Sequence, residues 1–443
     1  MKGYSSSIDV IGISLNILSY MYKSIIKTLF VVVLGLTITP LAYTQNNTSS
    51  PYSMYGIGQT GYGINARSVA MGDVSVGIRT NERINPKMAA SYTALDSVRI
   101  FYDLGATGIF TYATEQGESE TTFDGNITSL NVATRIMKHW YGGFGVFPRS
   151  SIGYNITTYN TVEGTLEEYP TYWSGSGGLS QFYFNNAFSI TDNFSVGVNF
   201  SVYVGPMTST KQQVFNANSS VEITTDELSE HYSGITGDIS AQYTLPINDN
   251  SKLILGAKFA PSSSLSGDSH QQIVHNSSAS GINDTIKNES SSAAVIDLPS
   301  SYSVGASYML SDNLVVALDY QRVNWGDIQS NNSDYNYTNQ NIFNVGFEYV
   351  NNRESLKYKD HIAYRLGFKY DDGYLNVRHN QLKDWSVSMG LGFPIRRSLS
   401  YIDVAFVYGQ RGSNQYGMIL ENYAQCMITF SLSDRWFRKR VID

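Results

Sequence analysis

The residues able to do chemistry are few and scattered. Gly56-Ile57-Gly58-Gln59-Thr60-Gly61 fits the G-x-G-x-x-G pattern that wraps backbone around a pyrophosphate. No strand-like run precedes it and no helix-like run follows, so nucleotide binding is not expected and no cofactor is assigned. No G-x-S-x-G nucleophile elbow occurs. The histidines, His139, His231, His270, His275, His361 and His379, are dispersed. His270 and His275 lie in a polar stretch and read as solvent-facing rather than metal-ligating. Cys426 is the single cysteine; it can make no internal disulfide and no metal site by itself. No catalytic or metal residue is therefore named, and the chain is not expected to be an enzyme.

With so little chemistry, function must lie in the elements themselves. The 443 residues are 42% hydrophobic and only 15% charged, against about 25% charged in an ordinary soluble domain. Mean hydropathy is nevertheless −0.20, too low for a bundle of membrane helices. Tyrosine (33) and glycine (38) abound and proline (10) is scarce, which suits long strands with aromatic rings at interfaces. A net charge of −7 argues against a nucleic-acid partner.

The N-terminus reads as an export signal. Lys23 and Lys27 form a basic region, Leu29–Leu36 an apolar one, and Ala42-Tyr43-Thr44 a small-x-small cleavage site before Gln45. The apolar run is shorter than the ~20 residues of a spanning helix. Residues 1–44 are thus assigned as a signal peptide, with Met21 as an alternative start. Residues 45–96, rich in Gly, Ser, Asn and Arg and without period-2 patterning, read as a compact plug, or hatch.

From residue 97 onward the pattern is alternation. Phe194, Val196, Val198, Phe200, Val202 and Val204 share one face; Ser195, Gly197, Asn199 and Ser201 share the other. Tyr364, Leu366, Phe368 and Tyr370 likewise oppose Arg365, Gly367 and Lys369. Asp319, Arg365, Lys369 and Asp403 all fall on polar faces. A sandwich would pair the apolar faces in one core; long strands with aromatic-ended apolar faces instead fit a lipid belt. Residues 97–433 are expected to form an all-β, transmembrane antiparallel β-barrel of about 14 strands. Tight turns alternate with long polar stretches (113–125, 159–178, 207–232, 266–296, 327–339, 373–383, 411–421), the exception being 351–360, long where a short turn belongs. That asymmetry places both barrel termini in the periplasm of a Gram-negative cell and the barrel in its outer membrane, against lipid or lipopolysaccharide. Residues 434–443 form a basic periplasmic tail.

LPSSYSVGASYMLSDNLVVALDYQRVNWGDI (298–328), YRLGFKYDDGYL (364–375) and the segment 50–92 resemble the FadL/TodX-type family of outer-membrane transporters for long-chain fatty acids and hydrocarbons. Asn85 and Pro86 stand at the position of the family's Asn-Pro-Ala hatch motif, with Lys87 in place of its alanine. The resemblance implies a hatch within the lumen, a hydrophobic ligand entering between external loops, and a lateral exit at a kink in the third strand. That strand carries Gly142, Gly143, Gly145 and Pro148, and both residue types weaken a ladder. The same glycines read equally well as the lining of a hatch contact. The expected function is passive uptake of hydrophobic small molecules such as long-chain fatty acids. The inferred lumen is, however, rich in Ser, Asn and charged groups, where a fatty-acid pocket needs apolar lining. The alternative is a non-transporting FadL-like barrel subunit of an envelope secretion or outer-membrane protein assembly complex, with envelope proteins as partners; PorV-like relatives that begin Ser-Pro-Tyr-Ser, as this chain does from Ser50, are of that kind. A continuous apolar tunnel leading to Pro148 would favour transport, and a lumen sealed by polar groups would favour the subunit.

Overall fold

Period-2 patterning becomes a closed antiparallel wall. The structure, a computed structural model, describes residues 48–435 apart from position 62 and short stretches within 163–166, 218–219, 279–282, 329–334, 378, 396–397 and 416. The wall strands are β1 (Arg99–Glu115), β2 (Glu118–Met137), β3a (Trp140–Pro148) with β3b (Ser150–Thr161), β4a (Glu168–Gly177) with β4b (Ser180–Ser189), β5 (Phe194–Ala217) and β6 (Ser220–Asn248). They continue as β7a (Ser251–Ala260) with β7b (Ser263–Ser277), β8a (Asn283–Ser292) with β8b (Ser301–Leu310), β9 (Leu314–Val323), β10 (Gln340–Val350), β11 (Ala363–Asp371), β12 (Asp384–Pro394), β13 (Tyr401–Gly412) and β14 (Leu420–Arg435). Each strand pairs with the next, and β14 closes on β1 from Arg99↔Arg435 to Thr114↔Leu420. Closure removes the edges that an open sheet would expose in lipid. No helix among the described residues is long and apolar enough to cross a membrane.

The two faces separate as the alternation requires. Phe200, Ile239, Val304, Leu366, Met389 and Phe406 point outward and are each at least half exposed. Ser201, Asn199, Ser303, Asp319, Arg365 and Asp403 point inward and are buried. Apolar side chains therefore face the surrounding medium while charges face the interior, the reverse of a water-soluble protein and the arrangement of a membrane-spanning barrel.

The strands outrun the alternation at one rim. Stretches 113–125, 207–232 and much of 159–178 and 266–296, expected as loops, continue as paired strands: β1 and β2 meet at the two-residue turn Gln116-Gly117, and β5 and β6 stay in register from Phe194↔Tyr243 to Ala217↔Ser220. Beyond the apolar belt both faces meet water, so the hydropathy contrast vanishes while the ladder persists. This is the long-hairpin rim. The opposite, short-turn rim holds Arg99, Arg435 and the tight turns, and also the longer connection 351–362 with its 3-10 turn Tyr358–His361. The signal-peptide assignment, 1–44, lies outside the described residues, as does the basic tail beyond Arg435.

Residues 48–98 run inside this wall. They form a 3-10 turn at Pro51–Met54, a two-residue strand Gln59–Thr60, helix α1 (Ala66–Ala70) and a 3-10 turn at Ala89–Ala94. Asn65 caps α1 by accepting the Ser68 N–H at 2.9 Å. Residues 71–78 place Met71, Val74 and Ile78 against inward-facing Val315 and Ala317.

Candidate functional site: the filled lumen

The space a ligand would have to cross is occupied by the inner segment, which is held at three heights. Nearest the short-turn rim is a chain of ion pairs. The Arg67 guanidinium grips Glu348 at 2.9 and 3.0 Å. Glu348 also accepts from Arg365 at 2.7 Å, and Arg365 donates onward to Asp403 at 2.8 Å. Arg83 closes the series on Asp403 at 2.8 and 3.2 Å and stacks over Tyr401, 3.6 Å from the ring centre. Two inner-segment arginines thus alternate with wall groups of both signs. Burial alone would lower the Arg83 pKa, but the carboxylates of Asp403, Glu348 and Glu82 outweigh it and hold the value above the usual one. The guanidinium stays charged.

At mid-height the contacts are made with backbone. The Asp319 carboxylate accepts the N–H groups of Ser75, Val76 and Gly77. Gln242 donates to the carbonyls of Val76 and Ile78, and Ser307 to that of Gly77. Close approach requires small wall residues: a Cβ on Gly367 would lie 1.9 Å from the Gly72 nitrogen.

Toward the long-hairpin rim the inner segment meets an aromatic cap. Tyr52 donates to the Ile419 carbonyl at 2.6 Å and Tyr374 to that of Gly58 at 2.7 Å. Trp325 stacks on Tyr374 with ring centres 4.6 Å apart and tilts against Tyr337 at 5.3 Å. Below the cap lies a chamber of about 110 Å³ lined by Ser50, Asp73, Asp124, Lys369, Asp371, Asp384, Arg411, Glu421 and Tyr423 among others. Its charges are largely paired: Arg411 donates twice to Asp384, at 3.0 and 2.9 Å, and Ser50 donates to Glu421 at 2.6 Å. A second space of about 500 Å³ opens at the short-turn rim, lined by Arg67, Arg79, Arg83, Lys252, Glu348 and Arg353 among others.

The residues expected to matter are distributed as follows. Asn85 braces the inner segment from within, donating to the Ser75 and Ile78 carbonyls at 2.7 and 3.4 Å. The Pro86 carbonyl accepts from wall residue Asn185 at 3.2 Å. Lys87 pairs with Asp73, and its own carbonyl accepts from Lys258 at 2.9 Å. Gly142 and Gly143 lie in unbroken ladder, paired on one side with Thr134 and Ala133 and on the other with Asn186 and Asn185. A Cβ on Gly143 would strike the Tyr92 ring of the inner segment at 2.5 Å, so its smallness serves that contact. The wall breaks further on, after Pro148. There β3b leaves β2, pairs with β4a, and takes Gln59–Thr60 of the inner segment on its other side. The G-x-G-x-x-G stretch therefore serves as a patch against β3b. His270 and His275 sit on β7b, a strand rather than a loop, with His275 3.2 Å from Glu222. No cluster of three or more His, Cys, Asp or Glu suited to a metal occurs among the described residues. Sequence reasoning placed Arg365 and Asp403 on the polar face but missed Arg67, Arg83 and Glu348.

The BamG family model matches residues 23–443. This chain belongs to the BamG family. Solved structures show the same architecture. The Pseudomonas putida toluene transporter TodX is 16% identical with a TM-score of 0.59, covering 86% of this chain and 99% of its own. The Ralstonia pickettii toluene transporter TbuX is 18% identical with a TM-score of 0.55, covering 85% and 99%. A Pseudomonas aeruginosa FadL homologue is 12% identical with a TM-score of 0.53, covering 86% and 100%. At such identities the likeness establishes the fold alone, a closed 14-stranded antiparallel β-barrel matching the FadL-type barrel. No curated protein sequence matches the chain.

Proposed function

We propose that this barrel is a non-transporting, FadL-like subunit of an outer-membrane protein assembly or secretion complex. One observation carries the reading: the lumen is filled by a segment tied to the wall through buried ion pairs and backbone hydrogen bonds, and the small chamber left under the cap has a mixed lining in which Lys369, Asp371, Asp384, Arg411 and Glu421 stand among apolar side chains. An apolar solute gains by transfer from water only into an apolar lining; Val69, Leu382 and Val407 supply part of one here, but Lys369, Asp371, Asp384, Arg411 and Glu421 share the space and would be stripped of water by such a solute. The short-turn rim, which holds both barrel ends, faces the periplasm in this reading, and the long hairpins face outward.

A second reading, passive uptake of a hydrophobic small molecule, draws on the wall break after Pro148 and on the barrels of like fold, among them a toluene transporter and a monoaromatic hydrocarbon channel. Purification in mild detergent followed by mass spectrometry separates the two. Stoichiometric co-purifying envelope proteins support the subunit. A co-purifying hydrophobic compound, with uptake that depends on the barrel, supports transport and overturns the proposal.

A further inference from the structure

Where the wall breaks, β3b is left with an open edge. β3a contributes nine residues; at about 3.3 Å per residue and a tilt near 40° it rises ~23 Å, close to the ~25 Å height of a lipid belt. β3b thus begins where the belt ends, and its edge lies in water. On its other flank β4a pairs in unbroken register from Ile152↔Gly177 to Thr161↔Glu168.

The direction of the unpaired groups follows from one residue. Gly153 donates its N–H to Ser53 Oγ at 3.0 Å, and its carbonyl accepts from the same hydroxyl at 2.9 Å. The N–H and C=O of Gly153 therefore face away from β4a. In an extended strand both groups of one residue point to the same side and alternate along the chain. Asn155, Thr157, Tyr159 and Thr161 must then present their donors and acceptors outward, and no strand among the described residues pairs with them there.

Other edges at this rim are guarded. β8a, which pairs with β7b and leaves its far side open, carries Asp284, Lys287 and Glu289. Charges of that kind are how natural sheets resist unwanted strand addition. Asn155–Thr161 reads NITTYNT, with no charge and no proline, and its Tyr159 is 70% exposed. Across the break stands β2, whose Glu118–Gly125 pair with β1 alone and carry Glu118 and Glu120.

We infer that the Asn155–Thr161 edge of β3b accepts an extended, basic segment of a partner protein as an added strand. Backbone donors and acceptors in a row are satisfied by another strand, not by an acyl chain. The acidic flank of β2 selects lysine or arginine side chains on the incoming segment. It also disfavours a second copy of this chain, which would bring uncharged edge to uncharged edge and acidic flank to acidic flank. The inference rests on the subunit reading and specifies one contact within it.

Residue-resolved hydrogen exchange on the full chain tests it, comparing native outer membranes with dilute, detergent-purified barrel. In the purified chain the amides of residues 156, 158 and 160 should be slow and those of 155, 157, 159 and 161 fast. In membranes the odd-numbered amides should slow by about tenfold or more. Thr157→Pro removes one outward N–H without touching the β4a ladder, and should abolish that slowing while the barrel still folds. Should it fail to fold, Glu118→Gln with Glu120→Gln must weaken the protection instead. Odd-numbered amides equally fast in both samples overturn the inference. So does protection in the purified sample, whether it rises with concentration (a second copy) or does not (the chain's own residues). Co-purification of envelope proteins alongside unprotected edge amides would leave the subunit reading standing and remove this contact alone.

Discussion

Arg365 Nη1 lies 2.8 Å from Asp403 Oδ1, and the Arg365 side chain has no access to solvent. The same guanidinium holds Glu348, so one wall cation joins the two carboxylates that receive Arg67 and Arg83 from the inner segment. Removing one member of a buried pair costs about 3–5 kcal/mol because a charge is left without compensation. Arg365→Met should fall near the lower bound, since Arg67 and Arg83 remain. The heat needed to convert the folded to the unfolded band on a gel should drop clearly. Glu348→Gln in the same chain should restore part of the loss, as expected of coupled sites. A strictly additive double variant would show that the three groups do not act as one network.

The Asp319 carboxylate controls a different opening. It takes three successive backbone N–H groups of the inner segment, and hydrogen bonds to a charged acceptor contribute about 1.5–3 kcal/mol each. Asp319→Ala should loosen residues 75–83 without unfolding the wall. Trypsin cleavage after Arg79 or Arg83 in the intact barrel should accelerate by about tenfold or more, with the gel mobility of the folded form unchanged. Equal cleavage rates in wild type and variant would mean that the segment is held elsewhere.

The belt can be mapped by its tolerance of charge. Phe200 points outward from the part of β5 that crosses the apolar belt, paired with Gly237. Phe200→Arg should cost about 2–4 kcal/mol if it lies near the bilayer midplane. Ile286, equally exposed but on β8a beyond the belt, should accept Arg at about 0–1 kcal/mol. Refolding into lipid vesicles with urea titration reads both. Similar costs at the two sites would contradict the assigned membrane position.

The lipid face was legible because its contrast is local: every second residue from Phe194 to Val204 reports it, and the ladder places all of them outward. The inner contacts were not. Arg67 meets Glu348 across 281 positions and Arg83 meets Asp403 across 320, and closure of the barrel, not sequence proximity, brings them together. The wall break had a partial signal. The break in the ladder follows Pro148, whereas Gly142 and Gly143, which the sequence left open between a kink and a hatch contact, lie in paired strand with Gly143 against Tyr92; a wall glycine can be small for a neighbour's sake rather than to bend its own backbone. The long hairpins failed for a third reason: Thr208 to Gln213 is polar on both faces, so a strand there leaves no hydropathic trace.

The long connection at the short-turn rim should respond to acid. Asp360 accepts from the Ser355 hydroxyl and the Asn351 amide, and these bonds hold its carboxyl below the usual aspartate value. A carboxyl depressed by folding contributes stability above its unfolded pKa, and that contribution is lost as pH falls through the folded one. The turn should therefore be firm at neutral pH and slacken from about pH 4 downward. Leu356 stands fully exposed at its tip and offers pepsin a site. The ratio of pepsin cleavage in Asp360→Asn to that in wild type should be above one near pH 4 and fall toward one as the pH is lowered further. A ratio that does not change over this range would show that some other group sets the acid response of the turn.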